Sequence, residues 1–188
     1  MTTVVVSVTA DVDDGNADGG SPQTWHINYA ASNADWISAS YSRSSAWRFL
    51  SVNVPQGTTL TSATLELNVT SAGSGTATIK GEAVDSAAQW ADSSANSPKD
   101  MTQTTASASY TAGTSGIVTV DVKSIVQEIV NRAGWVANNN LRIGFSTVSG
   151  ISVAEEFEDY AAAGAHPAKL TIVYGAGAAP AMLGATVF

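Results

Sequence analysis

Residues 62–69, SATLELNV, alternate without a break: Ala63, Leu65, Leu67 and Val69 fall on one side, Thr64, Glu66 and Asn68 on the other. A period of two is the signature of a strand with one buried face. Shorter runs of the same kind recur along the chain. TVVVSVT (3–9), TWHINYA, ADWISASY, SAWRFLSVNV, TATIKGEAV (76–84), IVTVDV (117–122), LRIGFSTV (141–148), ISVAEEFED (151–159) and AKLTIVY (168–174) all read as strands. PQGTT (55–59) and SAGSG supply turn chemistry between them, with Gly57 at a position that needs positive φ. Residues 85–116 are polar and weakly patterned and predict a loop with a short strand near 107–111. The spacing predicts an all-β, antiparallel two-sheet sandwich, jelly-roll-like, over residues 1–174, followed by an apolar C-terminal arm at 175–188.

One stretch departs from this period. In DVKSIVQEIVNRAGW (121–135), Val122, Ile125, Val126, Ile129 and Val130 share a stripe at helical spacing. Asp121 is placed to cap the first turn, and Gly134 stands where a left-handed stop is expected. Burying those branched side chains at about 1.5–3 kcal/mol each is reason enough for a short helix that caps the core. Nothing on it resembles an arrangement of nucleophile, base or metal ligand.

The charge balance narrows the partners. The chain carries 16 acidic and 8 basic residues in 188, a net charge of −8. The basic residues are scattered, which argues against nucleic acid or an anionic membrane as partner. Charged residues total only 13%, about half the usual share, so the surface is built from Ser, Thr, Asn, Gly and Ala. That suits an extracellular module or an assembly subunit. There is no Cys, which excludes disulfides and thiolate metal sites. MTTVVVSVTA lacks the basic region and apolar length of an export leader.

Three stretches together resemble a known module: WRFLSVNVPQGTTLTSATLELNV (47–69), IKGEAVDSAAQW (79–90), and DVKSIVQEIVNRAGWVANNNLRIGFS with the later HPAKLTIVY. They are similar to a β-sandwich module of secreted bacterial proteins and phage structural proteins, and to the broader disaggregatase-related (DNRLRE) sandwich domains, some of which bind carbohydrate. The likeness covers roughly residues 45–174. The resemblance implies a jelly-roll-like module without catalysis of its own. Where the family pattern often carries Arg and Tyr between its last two strands, this chain reads VAEEFEDY, so a ligand role for that Arg does not carry over. The expected function is a non-enzymatic virion subunit (capsid decoration, tail or fibre) of a phage-like particle. It would be assembled in the host cytoplasm as a homo-oligomer and make contacts with other virion subunits. In the tail, Met182, Leu183, Val187 and Phe188 are the expected subunit contacts. The alternative is an extracellular carbohydrate-binding module in which Trp25, Trp36 or Trp90 stacks on glycans.

Candidate chemistry is sparse. ADVDDGNADGG offers Asp11, Asp13, Asp14, Asn16 and Asp18 as oxygen ligands for a structural Ca²⁺. It is not an EF-hand loop, because Pro22 stands where the closing Glu would be; the plainer reading is a solvated acidic turn. No other cofactor is expected. In EEFED, Glu156 and Glu158 share one strand face and Glu155, Phe157 and Asp159 the other. Paired carboxylates there could act on a glycosidic bond, but an acidic strand edge that resists edge pairing is the preferred reading. His26 and His166 are the only histidines, and no GxSxG elbow accompanies them.

Overall fold

A computed structural model describes residues 1–18, 23–27, 34–38, 43–160 and 166–175, without the side chains of 34–36. The apolar arm with Met182, Leu183, Val187 and Phe188 lies outside the described residues. Two antiparallel sheets pack face to face. The first is ordered β1 (Thr2–Ser7), β12 (Lys169–Tyr174), β6 (Leu60–Ser71), β11 (Glu155–Glu158), β4 (Ala34–Ile37), with β9 (Gly116–Asp121) also on β6. Thr64 pairs with both Thr171 and Asp121, and Val69 with both Phe157 and Gly116. Strands β12 and β11 therefore lie end to end along one edge of β6, and β9 takes the other. The second sheet is ordered β3 (Thr24–His26), β2 (Asp14–Asp18), β5 (Ser44–Val52), β10 (Asn139–Ser149), β7 (Thr76–Gly81), β8 (Ala108–Thr111).

The alternation read in β6 is the burial pattern found: Ala63, Leu65, Leu67 and Val69 all point into the core. From the opposite sheet come Trp47, Phe49, Ile79, Leu141, Ile143 and Phe145. An aromatic group joins the layers. Trp47 and Phe145 of one sheet meet Phe157 of the other edge-on and stacked, with ring centroids 5.8 and 5.4 Å apart.

Strand β5 contains a bulge, where the register to β10 slips between Phe49 and Val52. Ser51 takes positive φ (52°) there, and its N–H is held by Asn140 Oδ1 at 3.1 Å.

Helix α1 (Lys123–Val130) closes one end of the sandwich, burying Ile125, Val126, Ile129 and Val130. The N-cap is Val122, which makes no side-chain cap bond, so Asp121 is not the cap expected of it; from the preceding position the Asp121 Oδ1 accepts the Lys123 N–H at 2.9 Å. Gly134 is not a left-handed stop, since its φ is not positive. Its lack of a side chain serves packing instead: a Cβ would sit 2.0 Å from Asp85 Oδ2, and Asp85 pairs with Arg132 at 2.8 Å. The PQGTT turn, with Gly57 at φ 71°, is bolted to this helix. Gln127 accepts from the Leu60 N–H (2.8 Å) and donates to Thr58 O (2.9 Å), while Gly57 N–H donates to Val130 O (3.0 Å). Glu128 accepts the N–H groups of Thr105 and Ala106, and Trp135 Nε1 donates to Val54 O.

Candidate functional site: a carboxylate cluster between the sheets

The acidic stretch after β1 is not a solvated loop. Residues 11–13 make one 3-10 turn, and Asp14–Asp18 then run as β2 between β3 and β5. Gly15 makes the close approach of β3 feasible, since a Cβ there would lie 2.4 Å from His26 O. The register decides which way the acids point. Asp14 pairs with Trp47 and Asn16 with Ser45, and partners across an antiparallel ladder share a face. Because Trp47 points into the core, Asp14 and Asn16 do too, and both are fully buried. Asp13 faces the other way and forms an ion pair with Arg48 at 2.6 Å. Asp18 lies 3.3 Å from His26 Nε2 and 3.8 Å from Arg43 Nε.

The opposite sheet contributes the third acid. In β11 the sequence phase holds: Glu155, Phe157 and then Asp159 are buried, while Glu156 and Glu158 are half-exposed. Strand β11 is no edge, however, because it pairs with β4 on one side and β6 on the other. Asp159, two residues beyond Phe157, meets Asp11 and Asp14, with a carboxylate oxygen of each within 4.8 Å of the others. Asp14 Oδ2 accepts the Tyr160 N–H at 2.9 Å; Asp14 Oδ1 has no hydrogen-bond partner, nor has Asp11 Oδ1 or Asn16 Oδ1. Burial, then the nearby Asp159 charge, raises Asp14 from 3.8 to about 8. Of the residues expected around a metal, the structure brings Asp11 and Asp14 together, leaves Asp13 and Asp18 with basic partners, and adds Asp159. The sign of Asp159 in the sequence was its strand phase, an acid in step with the core residue Phe157.

Glu155 is equally deep but differently served. It accepts from the Tyr110 hydroxyl and from the N–H groups of Gly73 (3.0 Å) and Gly113 (2.8 Å). Its donors make it a satisfied internal anchor tying β11 to β8 and two turns. Glu158 is engaged by Asn68 and by the His166 N–H.

Trp25 and Trp90 do not form a surface platform. Their rings meet edge-on at 4.7 Å in a second small core with Ala17, Ala46 and Met101. With Trp25 2% and Trp90 7% exposed, neither offers a flat face to a sugar. Only the backbone of Trp36 is described, paired with Glu156 in β4. This second core forms where the polar 85–106 segment folds over the outer face of the second sheet. Arg48 and Arg142 hold it there, and sequence reading left both among scattered basic residues. They are direct partners across β5 and β10. Arg48 Nε donates to Ala87 O (2.9 Å), and Arg142 donates to Ala88 O, pairs with Glu82 and lies 3.7 Å over the Trp90 ring. Burial lowers the Arg142 guanidinium to about 10, with Glu82 opposing and Arg48 adding to the fall.

A groove of about 390 Å³ runs between β8 and β9, walled by Ser109, Thr111, Val118 and Asp121. Tyr110 on its wall turns its hydroxyl inward to Glu155. No helix among the described residues is long and apolar enough to cross a membrane. No family model matches the chain, and no curated protein matches it either.

Proposed function

We propose that this chain is a non-enzymatic building block, a homo-oligomeric subunit of a phage-like virion that works through protein–protein contacts. One observation carries the non-catalytic part. Gln127, Glu128, Arg132 and Trp135, all in one of the stretches that carry the family resemblance, are spent on hydrogen bonds and an ion pair that fix the helix to its neighbours. The carboxylates that converge, on Asp14 and Asp159, are sealed between the sheets, where no substrate bond can reach them. What remains for function is the outside. Among the described residues β1 ends one sheet, and Val5, Ile117, Val136 and Val153 are exposed apolar side chains. The virion assignment itself rests on the resemblance.

Sedimentation velocity on the full chain tests this reading. A concentration-dependent or closed oligomer is expected at micromolar protein, and a strict monomer throughout counts against it. The carbohydrate-binding alternative loses its platform with Trp25 and Trp90 buried. A glycan array is expected to stay at background, and a specific signal there would restore that alternative.

A further inference from the structure

We propose that the free edge of β1 is a self-recognition surface, on which β1 of a second copy pairs antiparallel about a two-fold axis at Val5. The first sheets of both copies then run on as one. This rests on the homo-oligomeric reading above and names the surface that the reading leaves open. Backbone geometry sets which groups are on offer. Val8 N–H donates to Ala168 O at 2.9 Å, and that pair continues the register in which Ser7 faces Lys169. Bonding positions alternate along an antiparallel ladder, so Thr2, Val4 and Val6 turn their backbone groups to β12 as well. Thr3, Val5 and Ser7 therefore turn theirs outward, where no strand among the described residues pairs with them. Edges of this kind are ordinarily guarded by a charge, a proline, a bulge or brevity. Strand β1 has none of these: TTVVVS is uncharged, holds no Pro, and keeps its pairing with β12 in unbroken register. The other outer strands are guarded. β4 and β8 are four residues long, β3 is three, and β9 ends on the exposed Asp121.

The residues around Val5 single out a second copy as the occupant. Thr3-Val4-Val5-Val6-Ser7 reads nearly the same in both directions, so a two-fold sets Val5 on Val5, Val4 on Val6 and Thr3 on Ser7. Thr3 and Ser7 then exchange backbone bonds and bring their hydroxyls together on the outer face. Val5, 57% exposed, gains its own counterpart there. Val4 and Val6 lie on the inner face opposite the buried Ile172 and Leu170, half-buried against the core, and each covers surface that the other leaves open. Charge favours the same place. Two copies that each carry −8 repel, and an uncharged strand lets them meet with no like charges opposed. On the neighbouring strand, Lys169 is already paired with Glu66 at 2.6 Å.

Sedimentation velocity and cross-linking of the full chain test the edge. Val5→Lys sets two cations face to face across the axis at an exposed position. The midpoint concentration of association should rise at least tenfold, with the melting temperature changed by no more than a few degrees. The chain has no Cys, so a single introduced thiol reports only its own counterpart. Directly opposed, hydrogen-bonded residues lie about 5.5 Å apart at Cα, within disulfide reach. Val5→Cys should therefore oxidise to a covalent dimer at least tenfold faster than Thr3→Cys, whose counterpart lies about 13 Å away along the strand. Should Val5→Lys fail to fold, the two cysteine variants decide the matter. An unchanged midpoint in Val5→Lys, or Thr3→Cys cross-linking as fast as Val5→Cys, overturns the β1 edge and leaves the homo-oligomeric reading in place. A strict monomer in the unaltered chain overturns both.

Discussion

Tyr110 and Glu155 show how much can hang on one buried pair. The phenol hydroxyl donates to the carboxylate, and burial, reinforced by Glu155, pushes the Tyr110 pKa upward from 10.0. Tyr110→Phe leaves a fully buried carboxylate one donor short, and about 1–3 kcal/mol of stability should be lost in urea titration at pH 7. The same pair sets a pH dependence. In the unfolded chain the phenol ionises near 10.0, and in the folded chain above that. Between those values the folded state holds the extra proton, so stability is intact below pH 10 and falls as pH rises past it. Tyr110→Phe should remove that fall, which urea midpoints at pH 9 and 11 for both proteins would reveal. Single residues were also where reading from sequence was weakest. Asp13 and Asp14 are adjacent acids with opposite fates, one ion-paired outward and one sunk inward, and only the pairing of Asp14 with Trp47 separates them. Arg48 and Arg142 lie far apart in sequence but are neighbours across two strands, a relation that composition cannot reveal.

Among the elements, those with clean periodicity were legible. The β6 alternation and the α1 stripe both appear as burial patterns, because each element buries one face and packing enforces the period. Strand β2 was not legible. DGNAD has the Gly, Asn and Asp content of a turn, and its extended form is imposed by β3 and β5 on either side. For β11, the alternation was readable but its place in the sheet was not, since acidic outer positions suggest an edge and the strand is interior. The helix lends itself to a direct test of what holds it. Ile129→Ala should cost about 2–5 kcal/mol through the cavity it leaves. Gln127→Ala should cost about 1–2 kcal/mol by stranding Leu60 N–H and Thr58 O. If chemical denaturation showed Gln127→Ala to be neutral, the turn would be held by packing alone.

At the scale of the whole molecule, the apolar side chains left outside the core among the described residues include Val5, Ile117, Val136 and Val153. In the assembly reading, residues 175–188 matter as an arm. Deleting them should lower the number of subunits per particle found by light scattering without changing the melting temperature of residues 1–174 by more than a few degrees. An unchanged number of subunits would count against the arm.

The pairing of β1 with β12 has a mechanical consequence. Thr2 lies opposite Tyr174, so the two outermost ends of this ladder emerge side by side at one pole. Tension applied between those residues loads the cross-strand bonds one after another, like a zipper, and never all at once in shear. Pulled in this direction by optical tweezers, the sandwich should open at low force. A neighbour gripping both ends at that pole could prise β1 away, whereas one pulling β1 along its own axis against β12 would load the whole ladder in shear.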